Sequence, residues 1–360
     1  MMSRRKSFYF VILTLACILI HFYSISETRV ENGYSTHFYA RFASILRDLF
    51  GNINFSIGDI LYALFGAWLL WQTSRFLRFA LRRSYNKREL YVKFLYRLFV
   101  LFSSAYIIFN IFWGINYNRK GIAWQLGLDN GRYTTDDLRS MNQVLVEKIN
   151  TAKTELMNSK DVHPSDRELF KMVTEAYKKL SVRYPFLSYR PMSIKTSMWG
   201  WLGNYTGFTG YYNPFTGEAQ VNTTVPTFLH SFVTCHEVAH QLGYAKEMEA
   251  NFVGYLAASN SGNTLMHYSV YLDLFIYSNR NLNYADSAAA GRYRKELLPA
   301  VIKDLRDWAD FNRRHENWAE PVVRWLYGKY LQGNKQPGGV LSYDEVTGFL
   351  IAFYKKYGYI

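Results

Sequence analysis

For its first third the chain alternates long apolar runs with polar connections, and then its character changes. Phe8 to Ile25 carries almost no charge and follows Arg4, Arg5 and Lys6. The text after it, HFYSISETR, offers no small-x-small cleavage site, so the run reads as a membrane anchor rather than a signal peptide. Residues 57–74 and 94–115 are two further apolar runs, each long enough to cross a hydrocarbon core of about 30 Å. Between the first and second, Ser35 to Phe50 is amphipathic: Phe38, Phe42, Ile45, Leu46 and Leu49 oppose Arg41, Arg47 and Asp48. That pattern predicts a helix lying in the membrane interface.

From residue 118 onward the periodicity is that of a water-exposed domain. Leu138, Met141, Leu145, Ile149, Ala152 and Leu156 form one stripe of a helix from Thr134 or Thr135 to about Met157. His163-Pro164-Ser165 opens a second helix through Leu180, with Ser165 and Glu168 spaced for a capping box. Pro185 to Tyr212 reads as short strands and turns, with a strand at Lys195–Met198, and Glu218 to Asn222 alternates as a strand should. Helices are expected again over Leu265–Leu282, Leu298–Phe311 and Val322–Leu331. A last one runs through Tyr357 behind a capping box of Ser342 and Glu345.

Charge sharpens the division. The net charge of +14 is concentrated near the apolar runs. Arg75, Arg78, Arg82, Arg83, Lys87, Arg88 and Lys93 stand between the second and third runs against Glu89 alone, whereas the first connection is balanced. The positive-inside rule then places the N-terminus and this loop in the cytoplasm, and everything after Asn118 outside. A basic loop between two spans argues against nucleic acid as partner. Thirty tyrosines and nine tryptophans suit a membrane-interface belt and a peptide cleft. The two cysteines say little: Cys17 lies within an apolar run, and Cys235 reads as core packing.

The chemistry concentrates in TCHEVAHQLGYAKEMEANFVGYLA, residues 234–257. In HEVAH, His236 and His240 are four apart and share a helix face. Two imidazoles so placed can reach one Zn²⁺ at about 2.0–2.1 Å, with Glu237 positioned as a general base toward water. Gly243 supplies a helix stop, and a second helical pattern begins with Glu247-Met248-Glu249-Ala250-Asn251. A catalytic zinc needs a third protein ligand. Glu247 fits, with Asn251 at i+4 supporting the site from behind. Glu249 is the alternative ligand, about 160° away around the helix. His267 and His315 read as solvated or core histidines.

This arrangement resembles gluzincin-type metallopeptidases, although only six residues separate His240 from Glu247. More closely, Pro214–Asn222 and His236–Phe252, set behind N-terminal apolar runs, resemble a bacterial family catalogued as domain-of-unknown-function family 3810. The resemblance implies a mainly α protein: three transmembrane helices within residues 1–117, then a zincin-like α+β metallopeptidase domain over 118–360 with a small sheet and C-terminal helices. It supplies no substrate. The HEVAH motif sets the expectations of one Zn²⁺ per chain and a peptide or protein substrate. The apolar runs with their charge asymmetry set those of a bilayer around the spans and a multi-pass bacterial inner-membrane location with the site on the periplasmic side. By the same resemblance Glu218, Ala219, Gln220, Val221 and Asn222 form the strand on which an extended substrate would pair. The rival expectations are a non-catalytic zinc-binding envelope sensor or scaffold, and a cell-wall amide hydrolase.

Overall fold

The structure, a computed structural model, describes residues 4–80, 87–129, 131–159 and 164–360. Arg82 and Arg83 of the basic loop, and His163, lie outside the described residues. The protein is mainly helical with one small three-stranded sheet.

The three apolar runs form helices Arg4–Ser24, Ile57–Ala80 and Lys87–Phe112. Phe10 packs on Phe99 at 4.4 Å and Phe76 on Phe94 at 4.6 Å, joining the first and second of them to the third. Two stretches, Arg4–Ser24 and Tyr91–Phe112, are long and apolar enough to cross a membrane. Only 0% and 6% of those windows is buried, which is unlike the core helix of a globular domain and compatible with membrane anchoring. Among the described residues two of the three expected spans thus meet that criterion of length and composition, and the middle helix falls short of it. Asp59 at the start, and Gln72 to Arg75 near the end, dilute the middle helix. Its outward Leu64, Phe65, Leu70 and Trp71 are nonetheless exposed.

The amphipathic segment departs from its expected role. A π-helix, Val30–Tyr39, runs into the α-helix Ala40–Gly51, and together they bury Tyr34, Tyr39, Ala43, Leu46 and Arg47 against the rest of the protein. Arg47, assigned to the polar face, points inward. Its guanidinium donates to the carbonyls of Gln241, Arg190 and Pro191, so each of its three nitrogens has an acceptor. Phe38, Ile45 and Leu49 are left outward together with Arg41 and Asp48.

In the larger domain, Thr135–Asn158 lies along Thr264–Ala285, and the expected stripe from Leu138 to Ala152 is buried between them and their neighbours. Ser165 and Glu168 form the expected capping box at the start of Asp166–Arg183. The box expected at Ser342 and Glu345 is absent. Gly339–Tyr343 forms a 3-10 turn, and Val346–Tyr357 begins without a side-chain cap.

The sheet comprises β1 (Ile194–Thr196), β2 (Gly210–Asn213) and β3 (Glu218–Val221), in the order β1-β3-β2. β3 pairs parallel with β1 and antiparallel with β2, so it is the middle strand. This overturns Glu218–Asn222 as the substrate strand, because both backbone edges are already satisfied. The side chains are scaffold as well. Glu218 accepts from the Ile57 and Gly58 amides, placing a buried carboxylate on the N-terminus of the Ile57–Ala80 helix. Gln220 donates to Ser56 Oγ, Asn222 holds the Phe208 carbonyl, and Ala219 and Val221 lie in the core.

Candidate metal centre

HEVAH lies at the end of the helix Thr227–Gln241, which is buried almost all round. The chain reverses at Leu242-Gly243, where Gly243 takes φ +87° and Tyr39 and the Asn116 side chain close over its missing Cβ. A side chain there would be strained in conformation and crowded in space. The next helix, Glu247–Ser259, therefore starts beside the end of the first. A buried strut holds the reversal: Arg119 donates to the Leu242 and Gly243 carbonyls and pairs with Glu31 at 2.8 Å, while Tyr244 lies 4.4 Å beneath its guanidinium.

This geometry brings His236, His240 and Glu247 into one buried group, their ligand atoms all within 4.8 Å of one another. Glu247 Oε2 lies 3.2 Å from His236 Nε2 and 3.4 Å from His240 Nε2. A tetrahedral centre with bonds of about 2.0–2.1 Å holds its donors about 3.3–3.4 Å apart, so both edges already have the spacing a Zn²⁺ would require. The outer ring nitrogens are occupied. His236 Nδ1 meets Asn251 Oδ1 at 2.7 Å, and His240 Nδ1 meets the Tyr244 carbonyl at 2.7 Å. Each imidazole thus has a hydrogen-bond acceptor behind it that fixes the tautomer offering Nε2 to the centre.

Glu247 is also held from behind, because the Tyr327 hydroxyl donates to its Oε1 at 2.8 Å. Glu249 is not part of the group. It lies against Gly121 and meets Lys246 at 3.5 Å, so of the two carboxylates only Glu247 faces the histidines. Glu237, 4% exposed, has an Oε2 with no hydrogen-bond partner, and its other oxygen lies against Gly210 of β2. His315 is bonded to the Phe311 carbonyl and His267 packs on Tyr271; neither joins the group. Cys235 is core.

The electrostatics fit a site built for positive charge. Burial would raise the Glu247 carboxyl, but the two imidazoles hold it well below the ordinary range. Burial opposes charge on His240, yet Glu247 pulls it upward. The protein accordingly stabilises an anion between two bases, and a dication can take the place of the protons. Burial pushes Glu237 up to about 7 against the pull of both histidines. Burial also keeps the Tyr327 and Tyr343 hydroxyls protonated well above the ordinary tyrosine value.

Sequence reading misses several of these contributors. Tyr327, Tyr343 (whose hydroxyl is 3.1 Å from that of Tyr327) and Gln336, which accepts from the Glu247 amide, come from the C-terminal quarter. No local pattern links residue 327 to residue 247.

Fold and site together define a mainly helical protein with two long apolar helices and a buried His–His–Glu group that could hold a metal ion. The chain belongs to the family described as "Protein of unknown function (DUF3810)", whose model matches residues 34–351. No curated protein and no solved structure matches it.

Proposed function

We propose that this chain is a membrane-anchored, zinc-dependent peptide hydrolase with a zincin-like catalytic domain facing out of the cytoplasm of a bacterial cell. One observation carries the reading: a three-donor group with both Glu247–His edges at tetrahedral spacing stands with Glu237, a buried carboxylate with a free oxygen on the helix of the two histidines. Zn²⁺ held by His236, His240 and Glu247 would polarise a scissile carbonyl and bring the pKa of water near 7. Glu237 takes the proton from the attacking water and returns it to the leaving amine. The Tyr343 hydroxyl, 3.1 Å from that of Tyr327, donates to it, because the Tyr327 proton is given to Glu247. Tyr327 positions Glu247. The outer edge of β2 has no strand partner among the described residues and replaces β3 as the edge on which an extended peptide would pair. A purely structural metal site would have no use for Glu237, which favours hydrolysis over a sensor or scaffold.

The test uses the full chain in lipid nanodiscs. Wild type should cleave members of a peptide library, stop when zinc is chelated and recover when it is returned. Glu237→Gln should keep about one zinc per chain and lose roughly 10²-fold or more in rate. A fully active Glu237→Gln protein would contradict the proposal.

A further inference from the structure

Against the start of β2 lies a cleft of about 330 Å³ that the metal group does not use. Its walls are the short helix Gly200–Thr206, the start of β2 and Tyr62 of the second apolar helix. That volume is at the lower end of the roughly 300–1,000 Å³ typical of small-molecule sites. Two contacts tie it to the reacting centre. Gly210 lines the cleft, and a Cβ there would sit 2.6 Å from Glu237 Oε1, so this one residue of β2 touches both the cleft and the carboxylate. On the other side Phe208 lines the cleft and packs edge-on at 5.3 Å against Tyr327, the tyrosine that holds Glu247.

The chemistry of the walls selects the occupant. Tyr62, Trp199, Leu202, Phe208 and Tyr211 present apolar surface. Several of the polar groups among the walls are already engaged. The Tyr211 hydroxyl donates to Asp59, Thr206 Oγ1 to the Leu202 carbonyl, and Asn222 Nδ2 to Asn204 and the Phe208 carbonyl. A polar ligand would lose its hydration and find few groups to replace it, whereas an apolar one loses nothing. Gly210 belongs both to the cleft and to the edge strand β2, so a peptide laid along the outer edge of β2 can drop one of its alternating side chains into the cleft.

We infer that this cleft is the specificity pocket of the hydrolase, receiving one large apolar side chain, of leucine, methionine or phenylalanine type, from an extended peptide bound along β2. The inference rests on the hydrolase reading, and its test separates the two. Capped peptides that differ only at one position, leucine or phenylalanine against alanine or aspartate, are titrated calorimetrically into zinc-loaded Glu237→Gln protein in nanodiscs. The same peptides are offered to wild type for cleavage. Apolar peptides should bind at least tenfold tighter than the alanine peptide, within the 10–200-fold range that such pockets distinguish. Leu202→Trp, at a site 44% exposed where the fold tolerates bulk, should fill the cleft and cut that ratio at least tenfold. Phe208→Ala should shift the preference toward tryptophan. Pocket-dependent binding without cleavage by wild type would uphold the pocket and overturn the hydrolase. Cleavage with the same side-chain ratios in wild type, Leu202→Trp and Phe208→Ala would uphold the hydrolase and overturn the pocket. Peptides neither bound nor cleaved would overturn both.

Discussion

Asn251→Ala gives the most graded test of how the metal group is held. Asn251 touches the group only through the 2.7 Å contact from its Oδ1 to His236 Nδ1. Truncation leaves all three candidate ligands in place but frees the His236 ring to rotate and to change tautomer. Outer partners of this kind typically contribute 10–100-fold in metal affinity, which is about 1.4–2.7 kcal/mol. Glu247→Ala should cost well over 100-fold, because it removes a ligand and strands the Tyr327 hydroxyl that donated to it. Glu249→Ala should leave zinc affinity within about threefold, since that carboxylate pairs with Lys246 and faces away from the histidines. Competition against a chelator of known affinity at fixed pH measures all three, with thermal melting as the check that each variant is folded. A folded Glu249→Ala protein that loses zinc while Glu247→Ala keeps it would refute the assignment. So would an Asn251→Ala protein with wild-type affinity.

Two further outcomes follow from the frame around the site. Arg119 and Glu31 are 3% and 1% exposed, so Arg119→Ala should destabilise the protein by about 3–5 kcal/mol in denaturant melting, the cost of an uncompensated buried charge. Burial pushes the Glu31 carboxyl up, but Arg119 and the backbone amides outweigh it and the net shift is downward. Its contribution is therefore present above the ordinary carboxylate range and lost as pH falls through the lowered folded value. Arg119→Ala should flatten that acid limb, and an unchanged limb would rule the pair out as its cause. For topology, a reporter active only outside the cytoplasm should work when fused after Ile360 and fail when fused near Asn86; the reverse would put the site in the cytoplasm.

What the sequence revealed and what it withheld divide along the range of the interactions. The stripe from Leu138 to Ala152, the Ser165–Glu168 cap and the convergence of His236, His240 and Glu247 all follow from helical periodicity and a short turn, which local sequence records. Strand order does not. Glu218–Val221 alternates like any strand, and nothing within it reports that partners lie on both sides. Arg47 is misread for a related reason, since its inward position depends on carbonyls at 190, 191 and 241 that no helical wheel contains. Tyr327 and Tyr343 reach the site through tertiary packing alone.

The central claim is that His236, His240 and Glu247 hold a catalytic zinc, and zinc-edge X-ray absorption on the full chain in nanodiscs tests it most directly. The account predicts about one zinc per chain, with two imidazole nitrogens, one carboxylate oxygen and one further light atom at about 2.0–2.2 Å. One imidazole should disappear from the spectrum of His240→Ala if any metal remains. A zinc-free protein after growth and purification in zinc, or a spectrum unchanged by that substitution, would contradict it.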